Sequence, residues 1–240
     1  MKTVELIPVF DDNYVFLISD PETSEALVVD PGEAVAVTAI LKARKLKLLA
    51  ILTTHHHADH IGGASELSQT FAAPIWAPVT NKEQIKADHY VSDNDVFRLA
   101  GSRIQVLALP GHTLGHIAYW FSEKNWLFSG DVLFGLGCGR LFEGDFTQGF
   151  DSLQKIRQLP DATEVFCAHE YTEKNLQFCK SIIYEASPRL TTYETALMKR
   201  RAAGLPSVPL SLKTEKQFNP FLLAPTKEEF SILRQKRNTF

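Results

Sequence analysis

A chain of 240 residues, 45% hydrophobic and 22% charged, has enough apolar material for one sizeable core, with or without a modest appendage. Its formal net charge of −3 argues against the broad basic face of a nucleic-acid surface, and no run of about 18 apolar residues is present to span a membrane. Cys138, Cys167 and Cys179 form no Cys-x-x-Cys pair, which leaves thiolate zinc binding and thioredoxin chemistry unsupported. Buried free thiols in a reducing, cytoplasmic compartment are the expectation, and Met1 to Ile7 runs straight into a strand-like pattern with no signal-peptide region.

In chain order, Val4 to Val9 and Tyr14 to Ile18 read as strands around the turn Asp11-Asp12-Asn13. A third, Ala26 to Val29, ends at Asp30-Pro31-Gly32. Apolar residues at Val37, Ile40 and Leu41 give a helical stripe between Glu33 and Lys45. The strand Leu48 to Thr53 then runs into His55-His56-His57-Ala58-Asp59-His60, followed by Gly62-Gly63 and a helix to about Thr70. Residues i and i+2 of an extended chain face the same side, so His55 and His57 can reach one ion, whereas Asp59 and His60, past the turn, suit a second.

Short β segments follow at Ile75 to Ala77, Asp95 to Phe97 and Ile104 to Leu109, with Asn81 to Asp93 read as loop and His89 as merely exposed. The last of these strands delivers His112, and His116 lies four residues on. Ile117 to Phe121 and Trp126 to Ser129 form a pair ending at Asp131. After a helix at Ser152 to Leu159, the strand Glu164 to Ala168 ends at His169. Four strand ends thus deliver His55/His57, His112, Asp131 and His169, the arrangement of a site built on loops at one sheet edge. Beyond it, Thr172 to Glu185, Thr191 to Ala203 and Thr226 to Arg237 read as helices, the last two with capping-box spacing at Thr191/Glu194 and Thr226/Glu229.

His-x-His-x-Asp-His after an apolar strand resembles the signature of the metallo-β-lactamase superfamily at every position. That resemblance implies an α/β (α+β) fold: an αββα four-layer sandwich over residues 1–169, with a small helical domain over 170–240. It also implies two divalent ions. His55, His57 and His112 would hold one, Asp59, His60 and His169 the other. Asp131 and a hydroxide would bridge them, with Asp59 and Asp131 as catalytic carboxylates. Imidazole and carboxylate suit zinc foremost, but also iron or manganese. His56 and His116 are expected to orient ligands rather than bind metal. Asp30 either orients a ligand histidine or serves its turn.

Gly137-Cys138-Gly139-Arg140-Leu141-Phe142-Glu143-Gly144, His169-Glu170-Tyr171, Asn13-Tyr14 and Asn219-Pro220-Phe221 resemble the glyoxalase II (hydroxyacylglutathione hydrolase) family over essentially the whole chain. This implies hydrolysis of S-D-lactoylglutathione to D-lactate and glutathione, the second step of methylglyoxal detoxification; a monomer is the expectation. Arg140 and Tyr171 are then expected at the glutathione moiety, together with Phe142. Two positions depart from the pattern. Some members carry tyrosine where Phe142 stands, and a basic residue commonly occupies the place of Leu223. Lys236 and Arg237 either supply that charge or form a solvated basic tail. The rivals are a mononuclear-iron dioxygenase acting on glutathione persulfide, a zinc β-lactamase, and a non-catalytic metal-binding protein on the same fold.

Overall fold

Along Asn13–Asp20, Val15 and Leu17 face one way and Phe16 and Ile18 the other, and all four are buried. A strand covered on both faces must lie between layers. The computed structural model, which describes residues 2–182 and 188–240, shows what covers it. Strands β1 (Thr3–Val9), β2 (Asn13–Asp20) and β3 (Glu25–Val29) pair antiparallel. Helix α1 (Val35–Ala43) then leads to β4 (Lys47–Leu52), parallel to β3. Helices α2 (Ala58–Ile61) and α3 (Ala64–Phe71) precede β5 (Ile75–Pro78) and β6 (His89–Val91), which extend the parallel half to a six-stranded sheet.

The second sheet starts with the antiparallel run β7 (Val96–Leu99), β8 (Ser102–Ala108), β9 (Ile117–Phe121) and β10 (Trp126–Gly130). A small hairpin, β11 (Leu133–Phe134) and β12 (Gly137–Cys138), and helix α4 (Phe146–Arg157) intervene before β13 (Glu164–Cys167) pairs parallel to β10. The chain continues through α5 (Thr172–Ile182), α6 (Pro188–Ala202), β14 (Leu210–Ser211), α7 (Leu212–Phe218), α8 (Pro220–Leu223) and α9 (Lys227–Thr239), with β14 completing the second sheet beside β13.

Val15, Leu17 and Val28 pack under Val37, Leu41 and Leu67 of α1 and α3. Phe16, Leu27 and Leu52 belong to the core shared with Val106, Tyr119 and Phe128 of the second sheet, where Phe16 meets Phe128 and Phe166 edge-on at 5.5 and 5.7 Å. Leu153, Ile156, Phe221 and Phe230, from α4, α8 and α9, join that same core. Helix, sheet, sheet, helix is the expected αββα order, with further helices at the C-terminal end.

Three local expectations need correction. The stretch read as loop from Asn81 to Asp93 contains β6, because His89 and Val91 find backbone partners on β5, a tertiary pairing that leaves no local signal. Helix α4 begins at Phe146, six residues before Ser152, behind a complete capping box of Asp145 and Gln148. Helix α6, Pro188–Ala202, already contains Thr191, so its spacing to Glu194 is not a cap. The Thr226 cap does form, its side chain accepting from Glu229 N. The end of the helix expected over Thr172 to Glu185 lies outside the described residues beyond Ile182.

Candidate metal site

Strand β4 ends at Leu52, and the extended backbone beyond it carries His55 and His57 to the edge where β8 delivers His112. These three imidazoles each offer a nitrogen within 4.8 Å of the others, and Asp59, His60 and His169 form a second such group. His55, His60 and Asp131 make a third, so Asp131 and these two histidines join the pair of clusters. The Asp131 carboxylate lies 3.3 Å from His112 Nε2 and from His169 Nε2, and 3.4 Å from His60 Nε2. Residues far apart in the chain converge here because Tyr14 N donates to Ala168 O, stitching the start of β2 to the end of β13.

What fixes each ring is a contact on its far side. Thr54 Oγ1 lies 3.0 Å from His55 Nδ1, Asp30 Oδ2 lies 3.0 Å from His60 Nδ1, Arg140 O lies 2.7 Å from His112 Nδ1, and Asp12 Oδ1 lies 2.8 Å from His169 Nδ1. With Nδ1 occupied, all four rings turn Nε2 toward the cluster, the orientation metal-binding histidines take from their outer partners. His57 is turned the other way, its Nδ1 3.0 Å from His112 Nε2. Asp30 therefore orients a histidine: it is buried, at φ +50, and also accepts from Thr54 N and Thr54 Oγ1 at 2.7 Å. Asp59 is tied by Asn13 Nδ2 at 2.9 Å.

Burial and charge show what the cluster lacks. His55 Nε2, His60 Nε2 and Asp131 Oδ1 are buried without a hydrogen-bond partner among the described residues, a costly state unless something binds them. Burial disfavours charge on His60 and His169, yet carboxylates outweigh it: Asp131 with Asp30 for the first, Asp131 with Asp12 for the second. Both imidazoles are held above their ordinary range. Burial acts against the Asp131 carboxylate too, and His60 and His169 still hold its pKa well below normal. A site that draws protons onto imidazoles facing a carboxylate is one that a cation fits. The donor atoms are those a divalent ion takes.

The expected supporting histidines sit outside the donor groups. His116 stacks on His55 at 4.6 Å, and its Nε2 accepts from Asp131 N at 3.1 Å, so it holds the carboxylate-bearing residue in place. His56 faces away, with Asn81 Nδ2 3.0 Å from its Nδ1 and Glu143 3.3 Å from its Nε2.

Beside the cluster opens a cavity of about 840 Å³, lined by Arg140, Phe142, Tyr171 and Arg237 among others. Tyr171 stacks flat on His169 at 4.8 Å, while exposed Phe142 overhangs His57 and His112. Lys236 does not reach it: on α9, residues 234 and 237 share a face, and 236 projects into solvent. The cation that sequence reading missed is Arg234, buried, with Nη1 donating to Cys138 O at 2.6 Å. Lys174 was missed as well; the i, i+3 spacing of 234/237 and of 171/174 was the available signal. Asp12 was taken as turn material, and nothing local marked it as the partner of His169.

The metallo-beta-lactamase superfamily model matches residues 9–169, and the model of the hydroxyacylglutathione hydrolase C-terminus matches residues 170–240. A hydroxyacylglutathione hydrolase of Bdellovibrio bacteriovorus is 52% identical, covering 98% of this chain and 97% of that one. Another, of Methylobacillus flagellatus, is 45% identical over 98% and 99% of the two chains. The crystal structure of ETHE1 from Myxococcus xanthus is similar with a TM-score of 0.73 at 27% identity, covering 98% and 91%. Imidazole clusters at four strand ends and similarity along almost the whole length agree: the chain belongs to the metallo-beta-lactamase superfamily and, within it, to the hydroxyacylglutathione hydrolase family.

Proposed function

We propose that this chain hydrolyses 2-hydroxyacylglutathione thioesters, S-D-lactoylglutathione foremost, to the hydroxy acid and glutathione. The observation that carries the proposal is the junction of two donor clusters at Asp131 with a cavity that presents Arg140, Lys174 and Arg237. His55, His57 and His112 would hold one divalent ion, Asp59, His60 and His169 another, with Asp131 between them and zinc the first choice of metal. When bound, such ions bring the pKa of water to about 7 and offset charge developing on the thioester oxygen.

The side chains account for the rest. Asp59, part-exposed to the cavity, is kept ionised: His60 and Asn13 outweigh the opposing effect of its burial. It would take a proton from the attacking water, with Asn13 Nδ2 holding one of its oxygens. Glutathione carboxylates find the guanidinium groups of Arg140 and Arg237, and the Tyr171 hydroxyl opens on the same cavity. Burial, together with Asp12 and Asp131, pushes that hydroxyl up to about 12, so it serves as a neutral hydrogen-bonding group. The departing thiolate is a good leaving group and needs no strong acid.

Purified protein loaded with zinc is assayed for loss of the thioester of S-D-lactoylglutathione, with metal counted per chain. Turnover with two ions per chain is expected. One iron per chain with oxygen consumption on glutathione persulfide would replace the proposal with a dioxygenase, and full metal loading without turnover would leave a non-catalytic metal binder.

A further inference from the structure

Asn219-Pro220-Phe221 has no place in the donor clusters, and neither has Glu215, one helical turn earlier; yet both polar side chains are buried, at 0% and 1% exposure. Their partners explain them. The hairpin β11–β12 joins Asp131 to Arg140, and its turn leaves backbone groups that no strand satisfies. Asn219 Nδ2 donates to Phe134 O at 3.2 Å and to Gly137 O at 2.9 Å. Leu136 N donates to Glu215 Oε2 at 2.8 Å, and the same oxygen accepts from Asn219 Nδ2 at 2.9 Å. Asn175 Nδ2 reaches Gly135 O at 3.0 Å, and Arg234 Nη1 reaches Cys138 O. The Leu136 side chain is wholly buried against Leu176, Cys179, Leu190 and Leu197. The C-terminal helices thus grip the hairpin at every residue from Phe134 to Cys138.

Both ends of the hairpin enter the metal site. Val132 O accepts from Gly139 N at 3.1 Å, closing the base directly after Asp131. A Cβ at Gly139 would lie 1.9 Å from Asp131 O, so the two ends are pressed together with no room for a side chain. The next carbonyl, that of Arg140, orients His112. A shift of the hairpin must therefore move a carboxylate and an imidazole of the cluster along with Arg140.

We infer that Glu215 and Asn219 are positioning residues which, from the C-terminal helices, hold the Leu133–Cys138 hairpin and so set the placement of Asp131, His112 and Arg140. The inference rests on the proposed metal-binding roles of Asp131 and His112. It gives the helical region a part in assembling the metal site in addition to its part in lining the cavity. Burying a carboxyl group is costly, and an apolar residue there would leave Leu136 N without an acceptor.

The test compares Glu215→Ala, Glu215→Gln and the wild type, with Ile156→Val as a control that thins the shared core from α4 without removing a hydrogen bond to the hairpin. Three quantities are read in zinc-loaded protein: amide exchange of residues 133–140, zinc retention against a chelator, and kcat and KM on S-D-lactoylglutathione. For Glu215→Ala, exchange in that segment and zinc loss should both rise at least tenfold, with KM raised as well. Glu215→Gln keeps an acceptor oxygen and should restore all three. If Glu215→Ala does not fold, Asn219→Ser serves: its hydroxyl oxygen can still cap α8, but it lacks the amide NH2 that reaches both Phe134 O and Gly137 O, and the same changes are expected. Exchange and zinc retention matching Ile156→Val would overturn the inference. Because those two readouts need no substrate, a wild type inactive on the thioester would refute the proposed reaction and leave this inference standing or falling by itself.

Discussion

Asp12 Oδ1 lies 2.8 Å from His169 Nδ1, across 157 positions of the chain. One residue ends the turn after β1 and the other lies two residues past the end of β13, and the backbone bond from Tyr14 N to Ala168 O brings them together. The carboxylate fixes which nitrogen His169 offers to the cluster and raises the basicity of that nitrogen.

Asp12→Ala should accordingly weaken metal binding about 10- to 100-fold while the fold persists, since contacts of this kind contribute on that scale. Zinc titration against a chromophoric chelator measures it. An unchanged affinity would mean that His169 is oriented by packing on Tyr171 alone.

Asp131→Ala removes the oxygen pair shared by His60, His112 and His169. Turnover of the lactoyl thioester should fall roughly a thousandfold or more, with metal content reduced, as for loss of a group acting in the transition state. Wild-type kinetics in this variant would refute the role given to that carboxylate.

Arg140 is exposed at the cavity mouth, so its charge acts through solvent. Arg140→Ala should raise KM about two- to fivefold with kcat little changed, because exposed ion pairs contribute ~1 kcal/mol at most. Lys236→Ala, on the outward side of α9, should leave both constants unaltered. A KM effect at Lys236 equal to that at Arg140 would contradict the cavity described here.

Glu215 offers a pH signature. Burial pushes its carboxyl up to about 7, against the opposing hydrogen bonds from Asn219 and Leu136. Tyr193, Cys167 and Cys179, the titratable groups that feel its charge, are themselves held above their ordinary values and stay neutral at pH 7. A carboxyl raised on folding adds stability that is complete below its unfolded pKa near 4.5 and is lost as pH climbs through its folded value. Relative to Glu215→Gln, the wild type should lose about 3 kcal/mol of unfolding free energy between pH 4.5 and 7, then level off. Denaturant titrations at several pH values test this, and a constant difference between the two proteins would show that Glu215 is not buried as described.

Local pattern carried much of this. His55, His57, Asp59 and His60 announce themselves by spacing beside an apolar strand, and His112, Asp131 and His169 by standing at the ends of other strands. The N-cap at Thr226 and the apolar run in Asn13–Asp20 are likewise readable, because helix starts and buried strands are decided by neighbours a few residues away. At β6, where no local signal exists, the deciding partner lay on another element; at Thr191 the spacing misled because the residue lies inside a helix that already includes Pro188.

By itself, then, the sequence determined which residues are chemically able to bind a cation and which strands deliver them, since both follow from side-chain type and short-range periodicity. Only the tertiary structure decided which oxygen or nitrogen stands behind each imidazole: Asp12 behind His169, Asp30 behind His60, the Arg140 carbonyl behind His112. It also decided that Arg234 rather than Lys236 turns inward, and that Glu215 and Asn219 grip a hairpin some 80 residues earlier. Each of those is a contact between distant segments, fixed by how two sheets and their helices pack, and no window along the chain contains both partners.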